Sequence, residues 1–183
     1  MAKRSVALKI SVTAIFAAFC CVCTMISIPL PIGYFNLGDI FSLVSGWLLG
    51  PLGALSAALG GAIADLLLGF PQYAPATFVI KACLALVAFY LYELLRKLIK
   101  SKKTAPISRA VSAIAGECVM VGGYFIYEYT VLGYGIGAAA SIPGNLIQAA
   151  AGIIGGVIVS SLLFASPRVL RFFNDKNSRN NFS

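Results

Sequence analysis

The chain has 183 residues, of which 60% are hydrophobic and 11% charged, and its formal net charge is +8. Soluble domains carry roughly 25% charged residues, and a single domain of this length cannot hide so much apolar surface in its own core. A soluble enzyme, a disordered protein and a nucleic-acid reader are excluded, and the surplus apolar surface must face lipid.

A transmembrane helix needs about 20 apolar residues. Apolar runs occur at 6–29, 38–50, 51–69, 76–95, 106–128 and 143–165. The first, behind Lys3, Arg4 and Lys9, begins like a signal peptide. It runs too long and lacks an A-x-A cleavage site, so a retained helix is predicted. The second and third runs are broken only by Gly50-Pro51, which leaves the count between five and six. Basic residues decide it. Arg96, Lys97, Lys100, Lys102, Lys103 and Arg109 separate the fourth and fifth runs, and Arg168, Arg171, Lys176 and Arg179 follow the sixth. Cytoplasmic segments collect Lys and Arg, and only six spans put all three clusters on one side. The predicted fold is therefore an all-α integral membrane domain over 1–173. It has six transmembrane helices, both termini cytoplasmic, a ligand cavity in the outer half, and a polar cytoplasmic tail at 174–183. Trp47, Tyr90 and Tyr92 are expected to anchor inner helix ends at the interface.

Asp39, Asp65, Lys81, Glu117 and Glu128 remain inside this apolar sequence. Ionisable residues within spans are expensive and usually face a bundle interior. Helical spacing aligns Glu117, Val121, Tyr124 and Glu128 in the fifth helix, Asn145, Gln148, Gly152 and Gly156 in the sixth, and Ala54, Ala58, Gly61 and Asp65 in the third. Each stripe is polar toward the outside and small or apolar further in, the pattern of an outward-opening cavity. Outer loops add Tyr34, Phe35, Asn36, Tyr73, Tyr127, Tyr129 and Tyr134, which suit a small planar ligand. Two readings of Lys81 stay open: an ion pair with Asp65 at similar depth, or a contact to a carboxylate, phosphate or hydroxyl of the ligand. Gly152-x-x-x-Gly156 and Ala14-x-x-x-Ala18 allow close helix approach, the second within the bundle or as a docking face for another membrane subunit.

No histidine occurs, which removes HExxH zinc sites and histidine-based triads. The five cysteines include no CxxC pair, and their apolar settings predict buried thiols. No P-loop is present, so no ATP motor is expected in this chain. Neither a metal nor a cofactor is expected.

The runs GYFNLGD at 33–39, SGWLLGPLGAL at 45–55, GGAIADLLLGFPQYAPATFVIKA at 60–82 and GGYFIYEYTVLGYGIGAAASIPGNLIQAAAGIIGG at 122–156 resemble the substrate-binding S component of energy-coupling factor (ECF) vitamin transporters. The likeness spans residues 5–165 and is closest to the riboflavin-transporter-like branch. It implies a non-enzymatic protein of the bacterial plasma membrane that captures a vitamin-like small molecule from outside. Its partners would be membrane lipid, a transmembrane T component and two ABC-type ATPases, with no nucleic acid. The ligand site it implies maps onto Lys81, Tyr124, Glu128, Asn145 and Gln148 in helices, with Asn36, Asp39 and Tyr73 from loops; Asp65 joins them from the stripe on the third helix. Ala14 and Ala18, alongside Ala17, match the helix-one motif that docks on the T component. Gly33, Gly38, Gly69 and the 133–137 region are expected to let outer loops move. Pyridoxine, a hydroxymethylpyrimidine and riboflavin remain open as ligands. Thiamine is disfavoured because the only tryptophan, Trp47, is predicted near the inner side. Competing functions are a proton-coupled secondary transporter using Glu117 or Glu128, and an intramembrane enzyme using the scattered carboxylates.

Overall fold

Proline and glycine punctuate the apolar sequence, and the helices begin and end where they fall. A computed structural model describes residues 2–29, 34–99 and 104–167, with side chains from residue 6. The predicted tail, Gly33 and the basic residues Lys100, Lys102, Lys103, Arg168, Arg171, Lys176 and Arg179 lie outside the described residues, as do the side chains of Lys3 and Arg4. In chain order the elements are α1 (Ala2–Met25), β1 (Ser27–Pro29), β2 (Tyr34–Asn36), α2 (Gly38–Leu49), α3 (Pro51–Leu67), α4 (Ala74–Ile99), α5 (Ala105–Thr130), a 3₁₀ segment (Gly135–Ser141) and α6 (Ile142–Ala165). Pro51, Pro106 and Pro143 stand in the first turns of α3, α5 and α6, where a missing N–H removes no helical bond. The antiparallel ribbon β1–β2, pairing Ser27 with Asn36 and Pro29 with Tyr34, departs from the all-α expectation.

Among the described residues, four segments are long and apolar enough to cross a membrane: Val6–Met25, Ala74–Ile99, Ala105–Thr130 and Gly135–Ala165. The helices α2 and α3 are shorter. Twelve residues in α2 rise only about 18 Å, against a hydrocarbon core of about 30 Å. Gly50, at φ 59°, ends α2 and Pro51 opens α3 at once. The short helix is tolerated because protein surrounds it: α1, α3, α4 and α6 pack on α2, and all of it but Ile40 and Phe41 is buried. Irregular backbone at membrane depth is stable only when walled off from lipid in this way. Glycines set the spacing. A Cβ at Gly53 would lie 2.0 Å from the Ser45 carbonyl oxygen, and one at Gly46 would lie 2.8 Å from that of Ala85.

Two expectations change here. Trp47 and Tyr92 are buried, and the Trp47 indole N–H donates to Ser112 Oγ at 3.1 Å. They face the bundle from α2 and α4, and only Tyr90 of the three is exposed. All five cysteines are free; Cys20 is buried, but Cys83 and Cys118 lie on the outer apolar surface of α4 and α5. A thiol is apolar enough to face outward there, so an apolar run did not imply burial.

Candidate ligand-binding site

One end of the bundle gathers the starts of α2, α4 and α6, the ends of α1, α3 and α5, and the β1–β2 ribbon. The polar halves of the stripes meet there around one cavity. Asn36 comes from β2, Asp65 from α3, and Tyr73 from the turn before α4. Thr77 and Lys81 come from α4, Tyr124 and Glu128 from α5, and Asn145 and Gln148 from α6. Asp39 lies beneath them in the first turn of α2, not in a loop as expected. An acid at that position also suits the positive end of the helix. The cavity volume is about 30 Å³, room for water but far below the roughly 300–1,000 Å³ of small-molecule sites.

The wall is closed by bonds between its own side chains. Lys81 and Asp39 form a fully buried ion pair. Of the two readings left open for Lys81, the pair with Asp65 is not formed: both carboxylates lie at the lysine's depth, but Asp39 takes the ion pair and Tyr34 donates its hydroxyl to Asp65 Oδ1. Gln148 Nε2 donates to Asp39 Oδ2 at 2.6 Å, and its Oε1 accepts from Asn36 N at 3.0 Å and Nδ2 at 2.8 Å. Asn36 Oδ1 in turn accepts from the Gly38 N–H at 2.9 Å, fixing the start of α2. One chain of polar bonds thus ties α4, α2, α6 and the ribbon together. A second cluster joins Tyr73 to Glu128 Oε1 at 3.2 Å and Ser141 to Glu128 Oε2. Thr77 and Tyr124 share a hydrogen bond at 2.9 Å, and Lys81 Nζ lies 5.7 Å from the centre of the Tyr124 ring.

Burial, and then the neighbouring carboxylates Asp65 and Glu128, push the Tyr34 and Tyr73 phenols well above their usual range. Both remain donors at physiological pH. Asn145 makes no side-chain hydrogen bond within the described residues, so its amide is available to a ligand. Glu117 shares the stripe of Tyr124 and Glu128 yet does not line the cavity. It is buried below, and neither carboxylate oxygen has a hydrogen-bond partner. Of the tyrosines expected in outer loops, Tyr127 and Tyr129 instead lie in the last turn of α5; Tyr129 is exposed, as is Tyr134, which stands beside Tyr73. Thr24, Tyr34 and Thr77 line the cavity although they are absent from the predicted ligand set. Thr77 precedes Lys81 by one helical turn, a signal the spacing carries; Thr24 follows the apolar stretch 14–23 of α1 and carries none.

A second concavity runs along α1 and α3. Ala14 and Ala17 line an apolar groove of about 390 Å³ with Val6, Leu52, Leu55 and Leu59. Ala18 is exposed beside it.

Residues 5–164 match the family described as the S component of the ECF-type riboflavin transporter. A protein of Pyrococcus woesei, described as an uncharacterized protein in gap 3′ region, is 35% identical over 136 residues, covering 72% of this chain and 84% of the relative. A solved structure reported under "Structure and mechanism of the S component of a bacterial ECF transporter" superposes with a TM-score of 0.64 at 25% identity, over 92% of this chain and 99% of the other. With a family match over nearly its whole described length and polar side chains from five helices and a ribbon turned onto one cavity, this chain belongs to the vitamin-binding S components of the ECF-type riboflavin transporters, multi-pass membrane proteins rather than enzymes.

Proposed function

We propose that this chain captures riboflavin at the outer face of the plasma membrane and delivers it to an ATP-driven importer. The observation that carries the reading is the convergence of Asn36, Asp65, Tyr73, Lys81, Tyr124, Glu128, Asn145 and Gln148 on one cavity, with Asp39 bracing Lys81 from below. The opposite ends of α4 and α5 carry Arg96, Lys97 and Arg109. Basic residues favour the cytoplasmic side, so the cavity faces out, both termini face in, and residues 1–173 form one six-helix membrane domain. Riboflavin is preferred over pyridoxine and a hydroxymethylpyrimidine because of the family match.

The chain itself supplies binding and conformational change. Tyr73, Tyr124 and Tyr34 offer ring faces, and Asn145 and Lys81 offer donors. A T component and two ABC-type ATPases supply the energy, with the groove beside Ala14, Ala17 and Ala18 as the docking face. Calorimetric titration of the detergent-purified chain with riboflavin, pyridoxine and hydroxymethylpyrimidine tests the ligand. Saturable one-to-one binding of riboflavin is expected. Uptake by liposomes holding this chain alone, driven by a proton gradient, would overturn the importer reading in favour of a secondary transporter.

A further inference from the structure

The cavity wall carries more negative charge than it neutralises. Lys81 is its one cation among the described residues, and Asp39 takes that charge. Asp65 and Glu128 have no cation at ion-pairing distance among the described residues. Glu128 is nevertheless satisfied, since each carboxylate oxygen accepts a hydroxyl, from Tyr73 and from Ser141. Asp65 is not. Its Oδ1 accepts from Tyr34, whereas Oδ2 is buried without a hydrogen bond, although the Thr77 hydroxyl and the Lys81 charge stand near the carboxylate. Other buried polar atoms lack partners too, on Thr13, Ser108, Arg109 and Glu117, but of these residues only Asp65 lines the cavity.

A buried acceptor left unmade is expensive, and more so when charged. What this position lacks is a donor. An anion placed there would meet a buried carboxylate that no ion pair among the described residues neutralises, and like charges repel strongly in a low-dielectric setting.

We infer that Asp65 reads the charge of the ligand: it accepts a hydrogen bond from a hydroxyl or N–H of the free vitamin and rejects the corresponding phosphate ester. This inference rests on the proposed vitamin capture and adds which form of the vitamin the pocket takes. Asp65 binds the ligand directly, and Tyr34 positions its carboxylate through Oδ1.

The test is titration of the full chain in detergent at neutral pH with riboflavin and with riboflavin 5′-phosphate. Wild type should bind the free vitamin at least about a hundredfold more tightly. Asp65→Asn should weaken riboflavin about tenfold and tighten the ester, so the two affinities move in opposite directions. Partial unfolding would lower both. Tyr34→Phe, which keeps the carboxylate, should shift both affinities together and preserve their ratio. Equal affinity of wild type for the two compounds overturns the inference, as does a parallel loss of both in a folded Asp65→Asn protein or an ester bound as tightly as riboflavin by Tyr34→Phe. If wild type binds neither flavin, riboflavin as the ligand is wrong; pyridoxine and pyridoxine 5′-phosphate then form the pair on which the charge rule stands or falls, by the same criteria.

Discussion

Lys81 and Asp39 are both fully buried and each is the other's counter-charge. Removing one partner leaves a bare charge in a low-dielectric interior, a loss of about 3–5 kcal/mol, whereas an apolar pair of similar volume is often neutral. Lys81→Met and Asp39→Leu should therefore each depress the melting temperature in detergent strongly, and the double variant should recover most of it; simple addition of the two losses would refute the pairing. Glu117 argues the other way. Neither of its oxygens has a partner, and an unpaired buried polar group costs about 1–3 kcal/mol. Glu117→Met should raise the melting temperature, and a fall would reveal a donor that the structure does not contain. At this scale the sequence is legible only in part. The hydrophobic background makes each buried charge stand out, and depth along the helix brings Asp39, Asp65 and Lys81 to one level. Rotation decides which pair meets, and rotation depends on the packing of Gly61, against whose missing side chain the Lys81 stem lies.

Helices approach here through glycines, and the consequences differ from one interface to the next. A Cβ on Gly152 would sit 2.5 Å from Glu117 Oε1 and 2.9 Å from Asp39 Cβ. Gly152→Ala must push α6 away from α2 and strain the Gln148–Asp39 bond one turn above. Both stability and riboflavin affinity should fall, the latter read by quenching of flavin fluorescence; intact affinity would show that the floor of the site tolerates the shift. On the outer side of α1 the groove is open, so Ala14→Leu meets no packed neighbour within the chain. It should leave ligand affinity and melting temperature unchanged and reduce co-purification with the T component, and normal assembly would return Ala14 to ordinary lipid contact. Helix boundaries were readable because Pro51, Pro106, Pro143 and Gly50 mark them chemically. The shortness of α2 was readable too, in the brief apolar run at 38–50; its enclosure by protein was not, since composition does not distinguish an apolar helix surrounded by lipid from one surrounded by protein.

Across the whole molecule, a cavity of about 30 Å³ is too small for any vitamin, and what closes it is the ribbon at its mouth. Tyr34 on β2 holds Asp65 on α3, Asn36 holds Gln148 on α6, and the Tyr34 ring lies 5.1 Å, centre to centre, from Phe70. The remaining polar bonds join helices to one another and define the pocket's shape, so the ribbon is the part that can lift while the walls stay. Entry of a ligand then requires the Tyr34–Asp65 bond to open, and the population of open protein limits the observed association rate. Tyr34→Phe removes one tie from the ribbon and keeps its ring. Stopped-flow mixing with riboflavin should give faster association for that variant than for wild type. Association at the wild-type rate would mean that the ribbon does not gate the site and that the helices themselves must part.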